Sequence, residues 1–419
     1  MARIIGGVAV ELCAGMGGIG LGANRLGFVV ERAYDSWHQA VEIYNYNSHA
    51  RTPTAIECDL LSAAGLQRIT SDKRRLGAID LVLAGPPCKG FSQLKNGFHD
   101  GRIAHNKSNN AVLRAIPHYI GILRPRLFLI ENVPALLVHR DGRTFKDLVS
   151  QLTKPSGRLS YRLQWHVYDA AQFGTPQSRL RLILFGVRRD SDNGETLPFA
   201  GPNLGPLYSA IRRGRVVPDV LREYVQELED PSNCRLVTAA QALSDLPELS
   251  AGEPELPRRY STRPQSAYQS WVRMGAHNWL SDTQTPGVNP ATLRRLTHIS
   301  PGGAASDIPE KHLNGLSRKF GSAYRRLHPD APSTALSTKY DCVYHYRAHR
   351  SLSIREYCRL QGIPDFFRFP QELASRRSAY EMIGNSVPPR LIEGVLRYTL
   401  TGDCKTTVSY GSTGQSVAA

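Results

Sequence analysis

Short apolar runs alternate with stretches of helical period through roughly the first 190 residues of the chain. Gly7 to Cys13, Phe28 to Tyr34, Thr54 to Cys58, Ile79 to Ala84 and Leu127 to Ile130 read as buried strands. Each stops at a glycine loop, an acid or a proline pair. Strands separated by helices predict an α/β fold with an open, mainly parallel sheet, whose chemistry gathers at the C-terminal strand ends. Tyr161 to Ala170 and Leu180 to Val187 read as a further strand pair. From about Asp190 to His345 the alternation gives way to prolines, glycines and short segments without a period. Regular structure returns as one helix over His349 to Leu360 and another over Ala379 to Leu400, and Thr401 to Ala419 are small and polar. The pattern therefore predicts a main domain over 1–189 completed by 346–402, a smaller irregular domain over 190–345, and a disordered tail over 403–419.

The 419 residues include 52 Lys and Arg against 36 Asp and Glu, a formal net charge of +16 that favours a polyanionic partner. In the middle region basic residues interleave with aromatics, in Arg258-Arg259-Tyr260, Trp271-Val272-Arg273, Lys319-Phe320 and Tyr324-Arg325-Arg326. That mixture suits phosphate contact and base-edge reading, and also a generic irregular domain. The seven cysteines are scattered with no C-x-x-C pair, so neither a metal site nor a disulfide framework is suggested. The start Ile4 to Val10 could pass for a short signal peptide, but Glu11 interrupts it. No run is long enough to cross a bilayer, and the expectation is a soluble protein of a reducing cytoplasm.

Several stretches carry candidate chemistry. After the first strand, Ala14 to Gly20 form a glycine loop in which Gly15, Gly17 and Gly20 satisfy G-x-G-x-x-G, and Asp35 and Asp59 end the next two strands. Such a loop lets backbone N–H groups approach a ligand, and strand-end acids suit ribose hydroxyls. Alone, this would fit a nicotinamide dehydrogenase as well as an S-adenosylmethionine enzyme. In Asp80 to Ser92 (DLVLAGPPCKGFS), Gly85, Pro86 and Pro87 stop a strand and present Cys88 at its mouth, with Gly90 turning the chain away. Glu131 ends the neighbouring strand, LFLIENV. The polar segment from Ser92 to Asn110, with Lys95, Arg102, His105 and Lys107, shows no period and reads as a long binding loop before a helix over Ala111 to Leu123. Further on come Gln177-Ser178-Arg179-Leu180-Arg181, whose two arginines would face one way on a strand, and Gly384-Asn385-Ser386-Val387-Pro388-Pro389.

Pro-Pro-Cys, Glu-Asn-Val, Gln-x-Arg-x-Arg and Gly-Asn-Ser-Val, in this order behind the glycine loop, resemble the motifs of the cytosine-5 DNA methyltransferases. The resemblance implies a Rossmann-like class I methyltransferase sheet with a second, smaller, irregular mixed domain for target recognition over 190–345. It implies methylation of carbon 5 of a flipped-out cytosine in double-stranded DNA, with Cys88 as nucleophile and Glu131 as acid at ring nitrogen 3. Arg179 would reach the base and Arg181 support the site. S-adenosyl-L-methionine, leaving as S-adenosyl-L-homocysteine, would be held by Cys13, Ala14, Gly15, Gly17, Gly18, Ile19, Asp35, Asp59, Leu60, Pro86, Asn385, Ser386 and Val387. The segment after Cys88 would close over the DNA. The chain would act as a monomer with the nucleoid, and a restriction endonuclease sharing its site is a partner the resemblance allows. Five positions depart from the family pattern: Glu11 stands for Asp, Cys13 for Phe, Val112-Leu113 for Leu-Phe and Asp169 for Asn. Two rivals of related chemistry are a tRNA methyltransferase of the same family, whose branch lacks a large recognition domain, and an inactive nucleic-acid-binding relative, against which intact Cys88, Glu131 and Arg179 argue.

Overall fold

The computed structural model of the protein describes residues 6–48, 53–87, 103–191, 236–313 and 324–401. Cys88 and the rest of 88–102, the segments 192–235 and 314–323 with Lys319 and Phe320, and the tail lie outside the described residues.

Seven strands form one sheet. β1 (Gly7–Leu12), β2 (Phe28–Asp35), β3 (Ala55–Glu57), β4 (Leu81–Ala84), β5 (Leu127–Asn132) and β6 (Tyr161–Asp169) are followed by a short β7 (Gln177–Ser178), which pairs elsewhere, and β8 (Leu180–Arg188). The order is β3-β2-β1-β4-β5-β8-β6. Neighbours run parallel except β8, which is antiparallel to both β5 and β6. The chain steps outward from β1 to β3 on one side and from β4 to β5 on the other. The reversal between β1 and β4 opens a crevice at their C-terminal ends, where such sheets bind ligands.

Helices α1 (Gly18–Asn24), α2 (His38–Asn47), α3 (Ala63–Leu76), α4 (Ile103–Leu123) and α5 (Arg143–Thr153) cover the sheet. Strand side chains alternate between faces, so a sheet covered on both sides must be apolar on both. Ala9, Leu81, Leu83, Leu127 and Leu129 pack with Ala23 of α1 and with Ile392 and Val395 near the C-terminus. Val10, Leu12, Val82, Ala84, Phe128 and Ile130 pack on the other face with Ile69, Ile116 and Leu148 of α3, α4 and α5.

Three boundaries differ from the sequence pattern. The helix expected from Ala111 begins at Ile103, so the polar segment is helical in its last part; extending a helix already nucleated by a packed apolar stretch costs little, whatever the polarity of the added turns. The helix expected over His349 to Leu360 starts only at Ile354, because Ser353 caps it, accepting the Glu356 N–H while the Glu356 carboxylate accepts the Ser353 N–H. The helix expected over Ala379 to Leu400 is two. Asn385 ends the first, and Pro388, with no N–H to donate, forces the break before the second.

In the middle region short helices α6 (Ala239–Leu243), α7 (Ala267–Val272) and α8 (Pro290–Leu296) precede α9 (Ile354–Gln361), α10 (Arg376–Asn385) and α11 (Pro389–Thr401). Buried ion pairs fasten the middle region to α9. Arg359 reaches Asp245 at 2.8 Å and Asp365 at 2.7 Å, and Arg355 reaches Asp282 at 3.0 Å. No helix among the described residues is long and apolar enough to cross a membrane.

Candidate active site

The glycine loop leaves β1 through a turn that side chains resist. Cys13 and Gly15 both have φ of 53° and Gly17 has φ of 95°, before α1 starts at Gly18. The turn is held from β2: the Ala14 N–H donates to the Tyr34 carbonyl at 3.0 Å, and the Gly15 N–H donates to Asp35 Oδ2 at 2.8 Å. The other Asp35 oxygen accepts the Trp37 N–H at 2.8 Å. A carboxylate offers about four acceptor sites, so Asp35 keeps acceptor capacity for a ligand. Burial raises the Asp35 carboxyl above its ordinary range, and the Trp37 and Gly15 amides oppose that rise.

A Cβ built on Gly15 would meet no atom within 4 Å, whereas one on Gly18 would lie 2.1 Å from Ser386 Oγ and 2.6 Å from the Val387 carbonyl. Gly15 thus borders open space, and Gly18 is the contact through which the connection between α10 and α11 reaches the loop. Along that connection Asn385 is exposed, Ser386 half-buried and Val387 buried. At the end of β3, Asp59 is exposed and turns the chain by accepting the Leu61 N–H at 2.9 Å, and Leu60 is buried. Beneath the loop, Glu11 accepts the Gly20 N–H and the Tyr44 hydroxyl, both at 3.1 Å. Full burial pushes its carboxyl up to about 8 despite these two donors. Sequence reasoning noted Glu11 as a break in the apolar start and as a departure from the family pattern; its role as the prop of the loop follows from its inward position on a strand buried on both faces.

Across the switch point, Glu131 lies near the end of β5, and Arg181 of β8 reaches its Oε1 from Nε at 2.6 Å. The antiparallel pairing sets this up, since Glu131 is registered with Ile183 and Arg181 lies two residues away on the same face. Burial raises the Glu131 carboxyl, opposed by the charges of Arg181 and Arg179. Glu131 Oε2 is 4.0 Å from where a Cβ on Gly85 would sit, so the carboxyl stands beside the exit of β4. There Asn132 Nδ2 donates to the carbonyl of buried Pro86 at 3.3 Å. Ile19 also reaches this point, its Cδ1 3.0 Å from the same Gly85 position. The crevice thus brings the glycine loop, Asp35, Pro86 and the Glu131–Arg181 pair to one edge of the sheet.

Arg179 stands one residue before β8, and its charge, with that of Arg181, acts on Glu131. Its guanidinium is buried and donates to the Leu336 carbonyl at 3.0 Å and the Gly384 carbonyl at 2.5 Å. The arginine on the acid is Arg181, and Arg179 ties three chain segments together. Sequence reasoning also passed over Gln177, fully buried, which accepts the Leu336 N–H at 3.0 Å and donates to Gln361 Oε1 at 2.6 Å. Its position as the first residue of Gln-x-Arg-x-Arg was the available signal. The basic-aromatic interleaving of the middle region is likewise largely internal: the Arg273 guanidinium lies 3.3 Å from the Tyr260 ring centre, Arg295 lies 5.6 Å from that of Tyr324, and Trp271 is buried. An irregular domain with little regular hydrogen bonding uses these rings and cations as its own core.

A family model described as C-5 cytosine-specific DNA methylase matches residues 8–400. The chain is 26% identical over 394 residues to the Type II methyltransferase M1.HphI of Haemophilus parahaemolyticus, covering 93% of this chain and 86% of that protein. It is 26% identical over 442 residues to M.AgeI of Thalassovita gelatinovora, covering 91% of this chain and 96% of that one. Its fold is similar to the crystal structure of a candidate DNA modification methyltransferase encoded within an E. coli prophage, with a TM-score of 0.67 at 22% identity over 94% of this chain and 99% of that one. The chain belongs to the C-5 cytosine-specific DNA methylase family and is a DNA (cytosine-5-)-methyltransferase.

Proposed function

We propose that the protein methylates carbon 5 of a cytosine flipped out of a specific double-stranded DNA sequence, with Cys88 as transient covalent nucleophile. The observation that carries the reading is the buried Glu131–Arg181 pair at the exit of β4, three residues beyond which the sequence puts Cys88. Carbon 5 of cytosine is a weak nucleophile. Addition of the Cys88 thiolate to carbon 6 forms an S–C bond and shifts the electron pair of the 5,6 double bond towards carbon 5 and the ring. Negative charge then grows on the base, and a carboxyl that shares or donates a proton at ring nitrogen 3 relieves it. Glu131, whose carboxyl burial raises, would fill that role. Arg181 limits how far its carboxyl rises and offers a further donor towards the base. After transfer, loss of the carbon 5 proton and cleavage of the S–C bond restore the aromatic ring and the thiolate.

The crevice suits S-adenosyl-L-methionine, which when bound supplies an electrophilic methyl group and leaves as S-adenosyl-L-homocysteine. Open space over Gly15, the remaining lone pairs of Asp35 and the buried Leu60 are the supporting features. Ala14, Gly15, Gly17, Gly18 and Ile19 would hold it from the loop, Asp35 at its ribose, Asp59, Leu60 and Cys13 around its adenine, and Pro86, Asn385, Ser386 and Val387 from the far side. A duplex hides its bases, so the cytosine must leave the stack to meet these groups. The segment after Cys88 would cover it, and 190–345 would choose the site. Acting on chromosomal DNA, the protein would work as a monomer in the cytoplasm, with an endonuclease of the same specificity as partner in a restriction-modification pair.

Bisulfite sequencing of DNA from cells expressing the chain tests the reading. Methylcytosine confined to one short sequence context is expected, and its absence with Cys88 intact would contradict the proposal.

A further inference from the structure

The segment leaving the middle region towards α9 contains a turn, 337–342, whose backbone is fixed from several sides. Leu336, just before it, gives its N–H to Gln177 at 3.0 Å and takes the Arg179 guanidinium on its carbonyl at 3.0 Å. The Tyr357 hydroxyl donates to the Ser337 and Lys339 carbonyls at 3.0 and 3.3 Å, and Ser337 Oγ bridges the Lys339 amide and carbonyl, each at 2.9 Å. Gly384 packs so closely that a Cβ there would lie 2.2 Å from the Ser337 carbonyl oxygen. Tyr344 holds the far end through the Asp341 carbonyl at 3.2 Å. The side chains do the opposite. Thr338, Lys339, Tyr340 and Asp341 are all exposed, Tyr340 being 39% accessible with its ring beside that of Tyr380.

The position of this turn is as telling as its rigidity. Arg179 is two residues from the arginine on Glu131, and Gly384 is two residues from Ser386, which packs on Gly18 of the glycine loop. The turn is therefore attached to the catalytic edge on both sides. Resting on the DNA reading above, we infer that Lys339, Tyr340 and Asp341 read base edges next to the target cytosine. Phosphate anchoring draws on cations, hydroxyls and amides, and has no use for the carboxylate of Asp341. A cation that donates to guanine, a carboxylate that accepts from cytosine, and a ring that packs on a base or methyl group together make a discriminating set. Holding them on an over-determined backbone removes most of the ordering cost on binding.

The test uses the full chain with a duplex library whose bases around the cytosine are randomised, and maps methylated positions by bisulfite sequencing. Lys339→Ala, Asp341→Ala and Tyr340→Ala should each weaken the preference at one flanking position by about tenfold or more. Lys339→Gln, close in size, should relax the same position as Lys339→Ala, and calorimetric binding of S-adenosyl-L-homocysteine should be unchanged in all four. Variants that keep the wild-type preference would overturn the inference. So would a uniform loss of rate across all sequences with a shallower salt dependence, the mark of a phosphate contact. A wild-type protein that methylates no member of the library would overturn the DNA reading together with this one.

Discussion

Burial and an arginine pull the Glu131 carboxyl in opposite directions, burial upwards and Arg181 downwards, with burial the larger. The result is an acid able to give up and recover a proton. Glu131→Gln keeps shape and removes the proton, so turnover should fall by roughly 100- to 10,000-fold with cofactor affinity little changed, in single-turnover kinetics and calorimetry. A residue used for structure titrates differently. Glu11, raised by burial to about 8, contributes stability that is fully present below its unfolded value and lost as pH rises through about 8. The loss is about 1.4 kcal/mol per pH unit in that window. Glu11→Gln, which still accepts from Gly20, should remove this slope, so urea midpoints of wild type and variant should diverge between pH 5 and pH 8 with the variant the more stable. Glu131 was legible from a strand end followed by Asn-Val. The division of labour between Arg179 and Arg181 was not, because β8 starts only at Leu180, a break that the residue pattern of that stretch does not signal.

At the scale of elements, the crevice depends on two glycines with different neighbours. Gly15→Ala should weaken binding of S-adenosyl-L-homocysteine, measured by calorimetry, because its methyl enters the open space of the loop, while the fold bears only the backbone strain of about 1 kcal/mol. Gly18→Ala drives a methyl into Ser386 and Val387, so it should lower the melting temperature as well as the affinity. The sheet itself was largely readable in advance, since the strands of the parallel portion, apart from β2 with its Glu31 and Arg32, are short apolar runs ending in punctuation. Boundaries were less readable. Polar residues before Ala111 gave no sign that α4 would extend back to Ile103, and the break at Pro388 was hidden inside an otherwise continuous helical pattern.

For the whole molecule, the question is what the middle region contributes. Catalytic groups meet the same cytosine whatever its neighbours, so exchange of 190–345 for the corresponding segment of a relative should move methylation to the relative's site. Buried arginines set a condition on that exchange. Arg359 and Arg355 of α9 take Asp245 and Asp282 from the middle region, and a segment without these acids would leave both buried guanidiniums sharing Asp365 alone, at a cost of up to about 3–5 kcal/mol for each pair broken. A chimera keeping acids at both positions should fold and switch sites, and one lacking them should fail to fold, as read by circular dichroism and bisulfite sequencing. The internal use of Tyr260, Trp271 and Tyr324 could not be foreseen, because basic-aromatic composition is the same whether the rings face DNA or each other.

The central claim, covalent attack by Cys88 on a cytosine in duplex DNA, has a direct measurement. The full chain is incubated with S-adenosyl-L-methionine and a duplex carrying 5-fluorocytosine at its target, where fluorine replaces the proton whose loss would release the enzyme. Intact-mass spectrometry should show a species with the summed mass of chain, modified strand and transferred methyl, and Cys88→Ser should show none. A wild-type chain that methylates the unmodified duplex yet forms no such species, or a Cys88→Ser variant that still methylates, would contradict the account.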